Sequence, residues 1–154
     1  MWLTLARAAR VFQWSDRMER SPDILIVEDD ADEYELYSDF LASCGWAVCG
    51  ADNGIAAVDA AVRLQPRVIL MDAILPGRSG FEAARMLKRD PRTRHIPIVA
   101  LTGLVARRYV DAAREAGCDS ILTKPCPLDR LREEIAEMIS RQPAADSRQS
   151  SEGG

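Results

Sequence analysis

The sequence predicts an α/β fold, a five-stranded parallel sheet covered by five helices, and three observations carry this expectation. Short apolar runs with little polar alternation recur along the chain, as expected of strands buried on both faces. Segments with helical apolar spacing separate them, so the order reads βαβαβαβαβα. Acidic, hydroxyl and lysine residues stand where these runs end, at the edge where open parallel sheets open their polar sites.

The first run, Ile24 to Val27, is rich in β-branched residues. The segment from Ala31 to Cys44 follows, with Tyr34, Tyr37 and Leu41 on one face and Gly45 placed to end the helix. Trp46 to Gly50 reads as the second strand, and Ile55 to Leu64 as a helix with Ile55, Val58 and Val62 toward the core. Val68 to Met71 is the third strand and Gly80 to Arg89 the next helix. Ile96 to Leu101 is the fourth strand, followed by Ala106 to Ala116 and a capping Gly117. Ser120 to Leu122 closes the sheet, and Leu128 to Ile139 is a helix with Leu128, Leu131, Ile135 and Met138 in register.

A chain of 154 residues suits one well-buried domain and is too short for two ordinary ones. The division expected is an extension over 1–20, a folded domain over 21–141 and a disordered tail over 142–154. A formal charge of -4 argues against direct DNA binding, which needs surplus Lys and Arg on one face. No run approaches the roughly 18 to 20 apolar residues of a membrane span, and residues 1–20 lack a secretory apolar core, so a cytoplasmic protein is expected. Cys44, Cys49, Cys118 and Cys126 lack the close pairing of zinc sites and read as reduced thiols, and the single histidine, His95, sits in a polar stretch.

The strand ends offer Glu28, Asp29 and Asp30, then Asp72, Thr102 and the Lys124-Pro125 pair. Carboxylates gathered at one edge repel one another unless a hard divalent ion sits among them, and Mg²⁺ fits best. Mg²⁺ uses one or two carboxylates and leaves room for a phosphoryl oxygen, whose neighbours can be bound by a lysine and a hydroxyl. Taken singly, Thr102 could merely cap the next helix, and Asp30 reads better as a helix cap than as a metal ligand.

Val27-Glu28-Asp29-Asp30, the Met71-Asp72 to Gly80 stretch, Ala100-Leu101-Thr102 and Leu122-Thr123-Lys124-Pro125 together closely resemble the receiver domains of two-component response regulators, over about Asp23 to Ser140. The resemblance implies a flavodoxin-like (βα)5 fold with Asp72 as phosphoacceptor and Asp29 as a direct Mg²⁺ ligand. It makes Glu28 an acidic partner acting largely through water and the Ile74 backbone carbonyl a further ligand. It also implies that Thr102 and Lys124 bind phosphoryl oxygens and that the Lys124-Pro125 peptide is cis.

Two departures stand out. The position three before the lysine, often aromatic in the family, is Ile121, which lacks the ring that would fill the space behind a shifted Thr102. The positions two beyond Asp72 and Thr102 are Ile74 and Leu104, which exclude water rather than orient it, so slow self-dephosphorylation is expected. Gly103 fits the family's small residue beside Thr102.

With fourteen residues after Ser140, output is expected by docking to a downstream protein target; the family's habit would place it around Arg107, Arg108, Arg114 and the last helix, with a simple solvated helix as the equal alternative. The resemblance implies a sensor histidine kinase or histidine phosphotransfer protein as donor, docking near Asp32 and the Pro125-Cys126-Pro127 loop, and a monomer or weak homodimer. Trp2, Leu5, Ala9 and Phe12 fall at helical spacing beside Arg7, Arg10 and Arg17, but the core needs nothing before Asp23, and Met18 is favoured as the start. A phosphorylation-independent binding module is the alternative that Ile121 keeps open. A phosphoaspartate phosphatase is disfavoured, because Ile74 stands where its acid and base would be.

Overall fold

The computed structural model describes residues 21–75, 79–103 and 106–141. The elements run β1 (Ile24–Val27), α1 (Ala31–Ser43), β2 (Val48–Ala51), α2 (Gly54–Leu64), β3 (Val68–Asp72), α3 (Gly80–Arg89), β4 (Ile98–Thr102), α4 (Arg107–Glu115), β5 (Ser120–Thr123) and α5 (Leu128–Ser140). All strand pairs are parallel, in the order β2-β1-β3-β4-β5. The expected extension over 1–20, the tail over 142–154, Met18 and Leu104 lie outside the described residues.

Alternate residues of each central strand feed opposite layers. Leu25, Val27, Ile69 and Met71 join a core with Ala57, Ala61, Ala83 and Leu87 of α2 and α3. Ile24, Ile26, Val68 and Leu70 join the other core, with Tyr34, Tyr37 and Leu41 of α1 and Leu131, Ile135 and Met138 of α5. Residues 24–27 of β1 and 68–72 of β3 are therefore buried throughout, which is why these runs carry no polar alternation.

Turn chemistry sets the joints. Asp30 caps α1, its Oδ1 accepting the N–H groups of Asp32 (2.9 Å) and Glu33 (3.0 Å), as its capping reading anticipates. Gly45 and Gly117 adopt positive φ just past α1 and α4, where a Cβ would be strained. The ladder of β4 begins at Ile98 rather than Ile96, because Pro97 has no N–H and the Ile96 N–H closes a turn onto the Thr93 carbonyl at 3.0 Å. Trp46 and Ala47 precede β2; the Ala47 N–H is held by Asp23 Oδ2 at 2.8 Å.

One expectation needs correction. Helix α2 turns Ala57, Ala60 and Ala61 inward, while Val58 is only half-buried and Ile55 is 68% exposed. Small side chains let α2 approach the sheet and the Ala83-Ala84 face of α3, and the branched residues are left to the margin. Among the described residues no helix is long and apolar enough to cross a membrane.

Candidate functional site

Glu28 and Asp29 follow β1, Asp72 ends β3, Thr102 ends β4, and Lys124 stands one residue past β5. The parallel register, with Val27 opposite Met71, Asp72 opposite Leu101 and Thr102 opposite Thr123, delivers all five to the same edge. Glu28, Asp72 and Thr102 are three of the four buried polar residues among the described residues, the other being Thr93. Such groups need partners, and the site supplies them.

The Asp72 carboxylate is fixed from two sides: the Ile74 N–H donates to Oδ1 at 3.1 Å, and Lys124 Nζ lies 3.4 Å from Oδ2. Glu28 accepts the Asp30 N–H at 3.1 Å and lies 3.3 Å from Lys124 Nζ. Lys124 also pairs with Glu33 at 2.9 Å. Its backbone N–H donates to the Thr102 carbonyl at 2.8 Å, tying the lysine loop to the end of β4. The Lys124-Pro125 peptide is cis, as the resemblance implies.

Thr102 does not cap the following helix, since α4 begins at Arg107 behind Ala106 with no side-chain cap. Gly103 leaves open space: a Cβ there would meet no atom within 4 Å. Gly80 is the opposite case, because a Cβ there would overlap the Asp72 carbonyl oxygen. Its own N–H donates to the Ala73 carbonyl at 2.9 Å, so α3 starts directly on the backbone of the acidic strand end. Ile74 is 60% exposed at the rim, and Ile121 is half-buried in the edge strand β5.

Ligand atoms of Glu28, Asp29 and Asp72 lie within 4.8 Å of one another, so these three carboxylates could hold a metal ion. Burial, opposed by the Asp30 N–H and reinforced by the neighbouring Asp72 charge, pushes the Glu28 carboxyl up to about 8. Burial pulls the Lys124 ammonium down, but the Glu33 hydrogen bond and the Glu28 and Asp72 charges outweigh it and raise the group above its ordinary value. An all-oxygen donor set in which one carboxyl is driven toward protonation suits a hard divalent cation, whose charge reverses that drive.

Sequence reasoning did not find Glu33, and it gave Gly80 no role beyond closing the matched stretch and opening a helix. Glu33 lies four residues beyond Asp29, a position whose reach toward Lys124 depends on how α1 lies relative to the segment that follows β5. Gly80 carried a signal in being a glycine at the first helical position, where nothing in local conformation demands one.

The family model for the response regulator receiver domain matches residues 24–136. The polar-differentiation response regulator DivK of Brucella anthropi is 35% identical over 116 residues, covering 75% of this chain and 94% of its own. The receiver domain of a signal transduction histidine kinase from Syntrophus aciditrophicus superposes with a TM-score of 0.75 at 31% identity, covering 81% of this chain and 95% of that one. The receiver domain of a sensor histidine kinase from Pseudomonas aeruginosa, solved with a magnesium ion coordinated in its active-site cleft, gives a TM-score of 0.73 at 31% identity over 78% and 98% of the two chains. With its five-stranded parallel sheet and strand-end carboxylates, the chain belongs to the response regulator receiver domain family.

Proposed function

We propose that this domain accepts a phosphoryl group onto the Asp72 carboxylate from a phosphohistidine donor, in a Mg²⁺-dependent transfer. The observation that carries the reading is the placement of Asp72, oriented by the Ile74 N–H, facing Lys124, and within 4.8 Å of two further carboxylates. A carboxylate oxygen of Asp72 attacks phosphorus, the P–N bond of the phosphohistidine breaks, and its electron pair returns to the imidazole. Hydrolysis reverses the modification: water attacks phosphorus, the P–O bond to Asp72 breaks, and inorganic phosphate leaves.

In this reading Glu28, Asp29, Asp72 and the Ile74 backbone carbonyl hold Mg²⁺, with Glu28 acting through water. The bound ion supplies charge neutralisation for the transferring phosphoryl group. The magnesium-bound Pseudomonas aeruginosa neighbour supports the choice of metal. Thr102 donates its hydroxyl to one phosphoryl oxygen, Lys124 pairs with another, and the open space at Gly103 admits the group. The chemistry is stoichiometric and directed at the domain itself, with no external substrate turned over. The donor is a sensor histidine kinase or a histidine phosphotransfer protein, and the output is docking of a downstream protein.

The test is intact-mass analysis after incubation with Mg²⁺ and acetyl phosphate. A single added phosphoryl on the wild type, absent from Asp72→Ala, is the expected result. Failure of the wild type to acquire the group, with Mg²⁺ binding demonstrated, would replace this reading with a phosphorylation-independent binding module.

A further inference from the structure

The nearest carboxylate to Lys124 is not one of the strand-end acids. Lys124 Nζ lies 2.9 Å from Glu33 Oε2, against 3.3 Å for Glu28 and 3.4 Å for Asp72. Glu33 occupies the third position of α1, where a glutamate ordinarily reaches back to the N–H of the capping residue. Here the Asp30 N–H is already taken by Glu28 Oε1 at 3.1 Å, so the Glu33 side chain is released to span the gap to β5. Side-chain exposure separates the three acids: Glu33 is 39% exposed, while Glu28 and Asp72 are 2% and 11%. Glu33 alone can turn into water at small cost.

We propose that Glu33 is a positioning residue that holds Lys124 before phosphorylation and must release it for Lys124 to bind the phosphoryl oxygen, so that it slows phosphoryl uptake. This deepens the assignment of Asp72 as acceptor and rests on it. A phosphoryl group on Asp72 adds nearly two negative charges beside Lys124. It competes with Glu33 for the same ammonium and repels it, and the exposed carboxylate gives way. Glu33 thus acts as a resident anion that an incoming phosphate must displace.

The chain holds only two lysines, Lys88 and Lys124, so ¹³Cε-lysine labelling gives two signals, with Lys88 as internal reference. Three measurements are compared in wild type, Glu33→Gln and Asp129→Asn: Mg²⁺-dependent uptake from acetyl phosphate by intact mass, the Lys124 signal, and its shift on adding beryllofluoride. Asp129 is another acid in the first turn of a helix at the same edge, and it has no contact with Lys124. Glu33→Gln is expected to raise the uptake rate by about 1.5- to fivefold, the loss of one partly exposed ion pair. It should also displace the Lys124 signal and reduce its further shift with beryllofluoride, while Asp129→Asn changes neither rate nor signal. Equal or slower uptake in Glu33→Gln, or an equal acceleration in Asp129→Asn, overturns the proposal. A Lys124 signal indifferent to Glu33→Gln does the same. If the wild type takes up no phosphoryl group although Mg²⁺ binds, the assignment of Asp72 fails, and that outcome is distinct because uptake is absent in every variant.

Discussion

Gly80→Ala tests whether the start of α3 fixes the acidic end of β3. The added Cβ would overlap the Asp72 carbonyl oxygen and lie 3.0 Å from both the Asp72 carbonyl carbon and Ala73 Cα. All three are backbone atoms, so no side-chain rotation relieves the crowding. Ala83, Ala84 and Leu87 are fully buried, so α3 cannot simply slide away. Overpacking of this kind costs about 1–3 kcal/mol. Alanine returns at most about 1 kcal/mol through helix propensity and unfolded-state entropy. With the full return the net loss is about 0–2 kcal/mol, a fall in Tm of up to roughly 8 °C for a domain of this size. The backbone of Asp72 must shift by about 1 Å, and a displacement of that size can cost about a hundredfold in rate. Thermal unfolding by circular dichroism and phosphoryl uptake by intact mass are the assays. Gly103→Ala, whose Cβ meets nothing within 4 Å, is the stability control and should stay within about 0.5 kcal/mol of wild type. A Gly80→Ala variant with unchanged Tm and wild-type uptake would refute the packing argument.

At Gly50 a Cβ would run into the Tyr34 ring, so Gly50→Ala should destabilise by about 1–3 kcal/mol in urea unfolding; a cycle with Tyr34→Leu should recover part of the loss, and strict additivity would show that the two do not meet. Lys88 Nζ joins Asp119 (3.0 Å) and the carbonyls of Ile96 (2.8 Å) and Arg94 (3.3 Å), and Lys88→Met should cost about 1–3 kcal/mol; a loss under 0.5 kcal/mol would mark the clasp as idle. Glu28 is raised to about 8 from 4.5, so without metal its contribution is present below about pH 4.5 and is lost as pH rises through 8. Mg²⁺ needs the ionised carboxylate, so its increment in Tm should grow from pH 5.5 to 8; a pH-independent increment would contradict this. Ile74→Gln places a hydrogen-bonding group at the exposed rim, and the phosphoryl half-life should shorten severalfold by intact-mass decay; an unchanged half-life would remove Ile74 from the account of slow hydrolysis.

The parts of this molecule legible in the sequence are those whose signal is local. Runs such as 24–27 and 68–71 announce two-sided burial by composition alone, and Asp30, Gly45 and Gly117 announce helix ends by their own backbone chemistry. Strand-end residues became a site because a parallel sheet carries every strand end to one edge. Ile55 misled because helical spacing says which residues share a face and not how closely that face approaches its neighbour. Where Ala57, Ala60 and Ala61 permit close packing, the bulkier stripe loses. The Glu33 pair was invisible for a related reason, since it spans 91 positions and depends on where α1 lies relative to the segment that follows β5. Ile121 lacks the ring by its identity alone, and the structure adds only that it is half-buried in β5.

The attachment of α4 has a consequence for how a signal can leave this domain. Within the helix only Ala113 is buried, and Ala106 offers no capping side chain. Arg108 is spent on its neighbour, 4.8 Å above the Tyr109 ring, and the Arg107 to Asp111 pair at 3.9 Å stays within the helix. The opening free energy of α4 therefore sits at the low end of the domain's range, well below that of β1 or β3. Its amides should exchange with solvent through local fraying rather than global unfolding. An element held this loosely is expected to answer a perturbation through how often it is folded, and amide exchange of α4 is the observable that reads it.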